Sequence, residues 1–131
     1  MKTNQIALCL IASAALVACD RKNSHPTSEP SPQTSSELAS RFAAAEKIAD
    51  ISAQDSAFGK LALDAATSGD LKMARRALEH IRKVEATDEA AFRCALVLVQ
   101  SGQSKAASEF AEVIKSSELR DKTLAAIAKG K

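Results

Sequence analysis

The sequence predicts an all-α fold: a short solenoid of helical hairpins, with about six helices and a 33-residue period. Three observations carry that reading. Ala accounts for 27 of the 131 residues, while Trp and Tyr are absent. All three prolines (Pro26, Pro30 and Pro32) precede residue 37, so the 95 residues from Glu37 onward contain 22 Ala and no Pro, a composition that favours helix. Residues also recur along that stretch every 33 positions. Strand-rich folds need β-branched and aromatic residues with frequent Gly/Pro turns, and those are scarce here.

The first segment reads as a targeting signal, not as part of the fold. Met1-Lys2 supplies a positive start, Ile6 to Ala18 is mostly apolar, and small residues precede Cys19, the three parts of a secretory signal. These thirteen mostly apolar residues fall short of the roughly 20 that a spanning helix needs. Leu16-Val17-Ala18-Cys19 resembles the lipobox of bacterial lipoproteins. That resemblance implies cleavage before Cys19, diacylation of its thiol with palmitate-type chains, and frequent acylation of the new amine. One myristoyl-length chain holds a protein to a membrane only reversibly, whereas two or three anchor it stably. Asp20 resembles the signal that retains lipoproteins in the inner membrane of enteric-type bacteria. It implies an inner-membrane anchor facing the periplasm, with the outer membrane as the alternative. The expected division is a signal peptide over 1–18, the lipidated Cys and a tether over 19–36, and a helical domain over 37–131.

The tether, Asp20 to Ser36, has no large apolar residue. It cannot bury enough surface to offset its ordering entropy and is expected to be disordered. As a coil its r.m.s. span is roughly 20–25 Å, enough to hold a folded part off a membrane. His25 within it reads as an incidental polar residue. The chain carries 18 Lys+Arg against 16 Asp+Glu, a net charge of +2, and loss of Lys2 with the signal leaves +1. Neither a basic run nor a concentrated basic face is present, which argues against a nucleic-acid binder.

The helical domain is periodic. Ile48, Ile81 and Ile114 are spaced by 33, as are Glu46, Glu79 and Glu112, Asp55, Asp88 and Asp121, and Ala62, Ala95 and Ala128. Ser68-Gly69 recurs as Ser101-Gly102, and Ala74 as Ala107. The expected helices are 37–49, 55–68, 70–84, 88–101, 103–116 and 121–129. Each Asp of the column is expected to N-cap a helix, its carboxylate accepting orphan N–H bonds at the positive end. Gly69 and Gly102 suit helix exits, where φ > 0 is needed. Leu71, Ala74, Ala77, Leu78 and Ile81 mark one apolar helix face. Nearly three hairpins is about the minimum for a solenoid to bury its own faces.

This pattern resembles the tetratricopeptide (TPR) family of helical hairpins. Gly69 and Ala74, like Gly102 and Ala107, match its inter-helix Gly and small second-helix residue. Leu61-Ala62, Cys94-Ala95 and Ile127-Ala128 match its large-then-small pair on the first helix. Phe58 stands where the family favours an aromatic, but Ala91 and Leu124 replace it elsewhere; the period is 33 and not 34, and the family's terminal Pro is missing. The resemblance implies a right-handed solenoid whose first helices line a concave groove. Carried over position by position, that groove consists of Gly59, Leu63, Ala66, Phe92, Leu96 and Val99, with Leu63, Phe92, Leu96 and Val99 as the expected partner-binding residues.

Little in the sequence points to catalysis or to a metal. Cys94 aligns with Leu61 and Ile127 and reads as a small core residue. A His80–Cys94 dyad has no orienting Asn or Asp in view. Gly-rich phosphate loops, nucleophile elbows and Cys/His metal spacings are missing, so neither enzyme activity nor a cofactor is expected. The stretch Ala90 to Val99 is apolar nearly all round, which marks either a buried central helix or an apolar groove for a partner's helix or extended peptide. The expected function is a membrane-anchored scaffold or adaptor that binds a protein partner in the cell envelope. A self-associating structural lipoprotein and a small inhibitor or immunity-type lipoprotein are the alternatives.

Overall fold

In a computed structural model the described residues are 34–130, and among them every regular element is α-helical. The expected signal peptide, Cys19, Asp20 and the expected tether through residue 33 lie outside them. Six helices follow in order: α1 (Ser35–Glu46), α2 (Ile51–Ser68), α3 (Leu71–Glu79), α4 (Val84–Gln100), α5 (Ser104–Val113) and α6 (Ser117–Lys129). Each packs on its near neighbours in sequence: α1 on α2 and α3, α2 on α3 and α4, α4 on α5 and α6, and α5 on α6.

The helix count agrees with the sequence, but the boundaries differ for identifiable reasons. The tether was expected to reach residue 36; α1 instead begins at Ser35, because Thr34 Oγ1 accepts the Glu37 N–H. The first helices of the hairpins were expected to start at Asp55, Asp88 and Asp121. They start four residues earlier, at Ile51, Val84 and Ser117. Asp50 caps α2 through a 2.7 Å bond to the Ala53 N–H, and Ser116 caps α6 through the Leu119 N–H.

Asp55 and Asp88 therefore sit inside their helices and cap a different segment. The Asp55 carboxylate accepts the backbone N–H groups of Arg82 (2.9 Å) and Lys83 (3.2 Å), in the loop that leads into α4. The Asp88 carboxylate does the same for Lys115 and Ser116, both at 2.8 Å, ahead of α6. Both carboxylates are buried, and two N–H donors apiece compensate that burial. This arrangement also explains why α3 and α5 end early, at Glu79 and Val113, instead of near residues 84 and 116. The following residues must leave helical geometry to present two consecutive N–H groups to the carboxylate. Ile81 and Ile114, both buried, pin those loops to the core.

The helix exits match expectation. Gly69 has φ +83° and Gly102 φ +75°. At each, a bond spanning five residues, from Asp70 N–H to Ala65 O and from Gln103 N–H to Leu98 O, is paired with one spanning three, the Schellman arrangement that satisfies terminal carbonyls. Asp70 then caps α3 through the Met73 N–H.

The core is built from small residues. Ala62, Ala65, Ala74, Ala91, Ala95 and Ala107 are fully buried beside Leu38, Phe58, Leu61, Leu98 and Phe110. Small side chains let helix backbones approach, so dispersion contacts between closely spaced helices replace the bulk of missing aromatics. Helix α4 lies at the centre, against α2, α3, α5 and α6, which accounts for its apolar circumference.

One aromatic cluster holds the N-terminal helix. The ring of Phe42 lies 5.2 Å from that of Phe58 and 4.8 Å, edge-on, from that of His80. The Arg76 guanidinium stacks over Phe42 at 4.1 Å. Gln54 Nε2 donates to the Ala45 and Glu46 carbonyls at 3.3 Å each, which satisfies the C-terminal end of α1 from α2.

Candidate functional site: a cleft between α2 and α4

Helices α2 and α4 pack on each other and leave a cleft of about 370 Å³ between them. Its floor is set by small residues. At Gly59 a Cβ would stand 3.7 Å from the Ala90 Cβ, so the two helices run close together there. Ala86 and Leu63 extend the apolar floor. The rim is charged: Lys60 from α2, and Glu89 and Arg93 from α4. Arg93 pairs with Glu89 one turn away, and Lys83 Nζ donates to Ser52 Oγ at 2.7 Å across one end of the cleft. Asp55, also at that end, is committed to the Arg82 and Lys83 N–H groups. The charge left facing the cleft is therefore net positive.

The structure brings together part of the groove inferred from sequence. Gly59 and Leu63 line this cleft. Ala66 is 2% exposed and belongs to the core. Phe92 and Val99 pack half-buried against the core, and neither they nor Leu96 are among the residues lining the cleft. Helix α4 turns Ala86, Glu89, Ala90 and Arg93 toward α2 instead. Positions 33 apart share a column along the molecule, but the side of α4 facing α2 is a different stripe from the one equivalent to Gly59 and Leu63. The lining of α4 was legible as the i, i+3, i+4, i+7 series from Ala86; its charged members concealed it from a search for apolar positions.

The candidate chemical groups are placed as follows. Cys94 is fully buried in α4, and loss of solvation pushes its thiol up to about 12, against a weaker lowering by a backbone hydrogen bond. Such a thiol stays protonated and unreactive at neutral pH. His80 does not reach it. Nδ1 of His80 bonds to the Arg76 carbonyl at 2.9 Å, Nε2 lies 3.8 Å from Glu46, and the ring packs on Phe42 and Phe58. Among the described residues no group of three or more His, Cys, Asp or Glu is placed to hold a metal ion, and no helix is long and apolar enough to cross a membrane.

A second cleft, which the sequence did not single out, lies between α3, α4 and α5. Val84 and Val113 are exposed beside it, 42% and 39% respectively, and the Arg75–Glu109 ion pair flanks it. Comparison with protein-family models, with curated proteins and with solved structures returns no match for this chain.

Proposed function

We propose that the protein is a lipid-anchored scaffold of the cell envelope whose helical hairpins form a short right-handed, TPR-like solenoid that binds a protein partner. The observation that carries the binding half is the cleft between α2 and α4, with an apolar floor of Gly59, Leu63, Ala86 and Ala90 and a rim that includes Lys60 and Arg93. Such a surface fits one strand or helix of a partner, with small or aliphatic residues against the floor and an acidic edge against the rim. The membrane half rests on the Leu16-Val17-Ala18-Cys19 sequence, with Asp20 favouring the inner membrane. The tether would give the cleft reach from the surface.

Two experiments test the two halves separately. A photo-crosslinker at Leu63 in the full chain in intact cells should capture one partner, and a second change across the cleft, Ala86→Asp, should abolish capture while helicity is unchanged. Undiminished capture by the variant refutes the cleft. Cys19→Ser should block lipid labelling and release the chain from membranes; retention refutes the anchor.

A further inference from the structure

The described helices begin and end on unlike half-hairpins. Helix α1 aligns by the 33-residue period with α3 and α5, and α6 with α2 and α4. Among the described residues no first-type helix precedes α1 and no second-type helix follows α6.

The vacancies are visible residue by residue. On α6, Asp121, Leu124 and Ala128 are exposed. Their equivalents one and two periods earlier are buried: Asp88 and Asp55, Ala91 and Phe58, Ala95 and Ala62. On α1, Ala44 is exposed and Ile48 only half-buried, whereas Ala77 and Phe110, and Ile81 and Ile114, are buried. Arg41, Ala44 and Ile48 border an open cleft of about 390 Å³.

The hydrogen-bonding groups are vacant in matching register. Asp55 and Asp88 each reach forward 27 and 28 residues to two consecutive N–H groups. Asp121 makes no such bond among the described residues. One period before Arg82 and Lys83 stand Ala49 and Asp50, whose N–H groups meet no acceptor among the described residues. Among the described residues, α6 thus holds a two-acceptor carboxylate without its loop, and the α1–α2 loop two donors without their carboxylate.

We infer that these ends pair between copies: α6 of one chain docks against α1 of the next, and Asp121 accepts the Ala49 and Asp50 N–H groups across the joint. Leu124 and Ala128 cover the surface around Ala44 and Ile48. The contact joins unlike surfaces, so it does not close on a dimer but propagates head to tail. It repeats the α2–α4 cleft along an array and rests on the repeat register alone, independent of what that cleft binds. Two residues loosen the joint relative to the internal hairpins. Arg41 stands where Ala74 and Ala107 stand, its guanidinium drawn 2.7 Å from Asp64, and it holds the incoming helix farther off. Asp50 adds a like charge near Asp121, although its carboxylate is turned onto the Ala53 N–H.

The test uses two full-length variants in detergent solution, each with one end blocked at an exposed position: Ala44→Glu and Leu124→Glu. Wild type should show a ladder of sizes that grows with concentration. Each variant alone should lose about tenfold or more in association, as expected when a charge is buried at the centre of a contact. An equimolar mixture should form a one-to-one pair through the two intact ends, and Arg41→Ala should lengthen the wild-type ladder. Monomeric wild type, a mixture that does not pair, or a single variant that still assembles overturns the inference. So does a crosslinker at Ala128 that captures residues 1–33 of its own chain instead of α1 of another. Capture at Leu63 reads the cleft separately, so failure of the joint and failure of the cleft are distinguishable.

Discussion

Replacing Asp88 with Ala should unfold the protein at much lower temperature, whereas the same change at Asp121 should do almost nothing, although the two positions are one sequence period apart. Asp88 is 4% exposed and accepts two backbone N–H bonds of 2.8 Å, from Lys115 and Ser116. A hydrogen bond to a charged group contributes a net ~1.5–3 kcal/mol. Removing the carboxylate orphans both donors, while relief of its own desolvation returns part of the loss. The expected net cost is about 2–4 kcal/mol. For a domain of this size that corresponds to a fall in Tm of about 10–20 °C. Asp121 is exposed and has no such partners among the described residues, so Asp121→Ala should stay within about 0.5 kcal/mol. The assay is thermal and urea unfolding followed by helical circular dichroism, at dilute concentration so that association does not contribute. Equal effects at the two positions would refute the assignment of Asp88 as the anchor of the α5–α6 loop.

Three further outcomes follow from the same geometry. Phe42→Ala removes the ring, 2% exposed, that joins α1 to Phe58, His80 and Arg76; it should cost about 3–5 kcal/mol, and amide exchange should show α1 opening first, so unchanged α1 protection would count against the cluster as its anchor. Gly69→Ala and Gly102→Ala should each cost about 1–2 kcal/mol from left-handed backbone strain, and nearly equally, because a Cβ at either position meets no atom within 4 Å; a wide difference in their urea midpoints would show that something other than backbone geometry sets the cost. Burial raises the Cys94 thiol from 9.0 to about 12, so the folded chain holds that proton more tightly than the unfolded chain. Its contribution is therefore fully present below about pH 9 and lost between about 9 and about 12. The stability difference between wild type and Cys94→Ala should shrink across that window, and thiol labelling at neutral pH should track global unfolding; a pH-independent difference would refute the buried, protonated thiol.

The all-α class and helix number were legible because they rest on averages. A proline-free, Ala-rich stretch of 95 residues has few alternatives to helix. The 33-residue columns were legible where packing demands a fixed size. Ala62 and Ala95 sit at points of close helix approach, and Gly69 and Gly102 at backbone conformations that other residues resist. The long-range role of the aromatic cluster was not. Phe42 aligns with Arg75 and Ser108, so no column marks it, and its partners Arg76 on α3 and His80 just past the end of α3 stand more than thirty residues away.

The Asp column shows where periodicity stops being informative. An N-cap and a carboxylate that caps a neighbouring loop both place an Asp once per period near the start of a helix. Spacing therefore reports that a role recurs, not which role it is. The distinguishing information was local: Asp50 and Ser116, two good capping residues, stand just ahead of Ile51 and Ser117, so the caps of α2 and α6 were already supplied. An acidic residue left over after the caps are assigned, in the second turn of a helix, needs a partner elsewhere. Two of the three Asp residues find it 27 and 28 residues ahead. The same logic separates the three energetically: where the loop is present the carboxylate is buried and strongly stabilising, and at Asp121, for which no such loop stands among the described residues, the residue is exposed. A sequence column that looks uniform thus divides into two structural anchors and one unsatisfied end, and the cost of mutating each member is set by the segment it reaches, not by the helix that carries it.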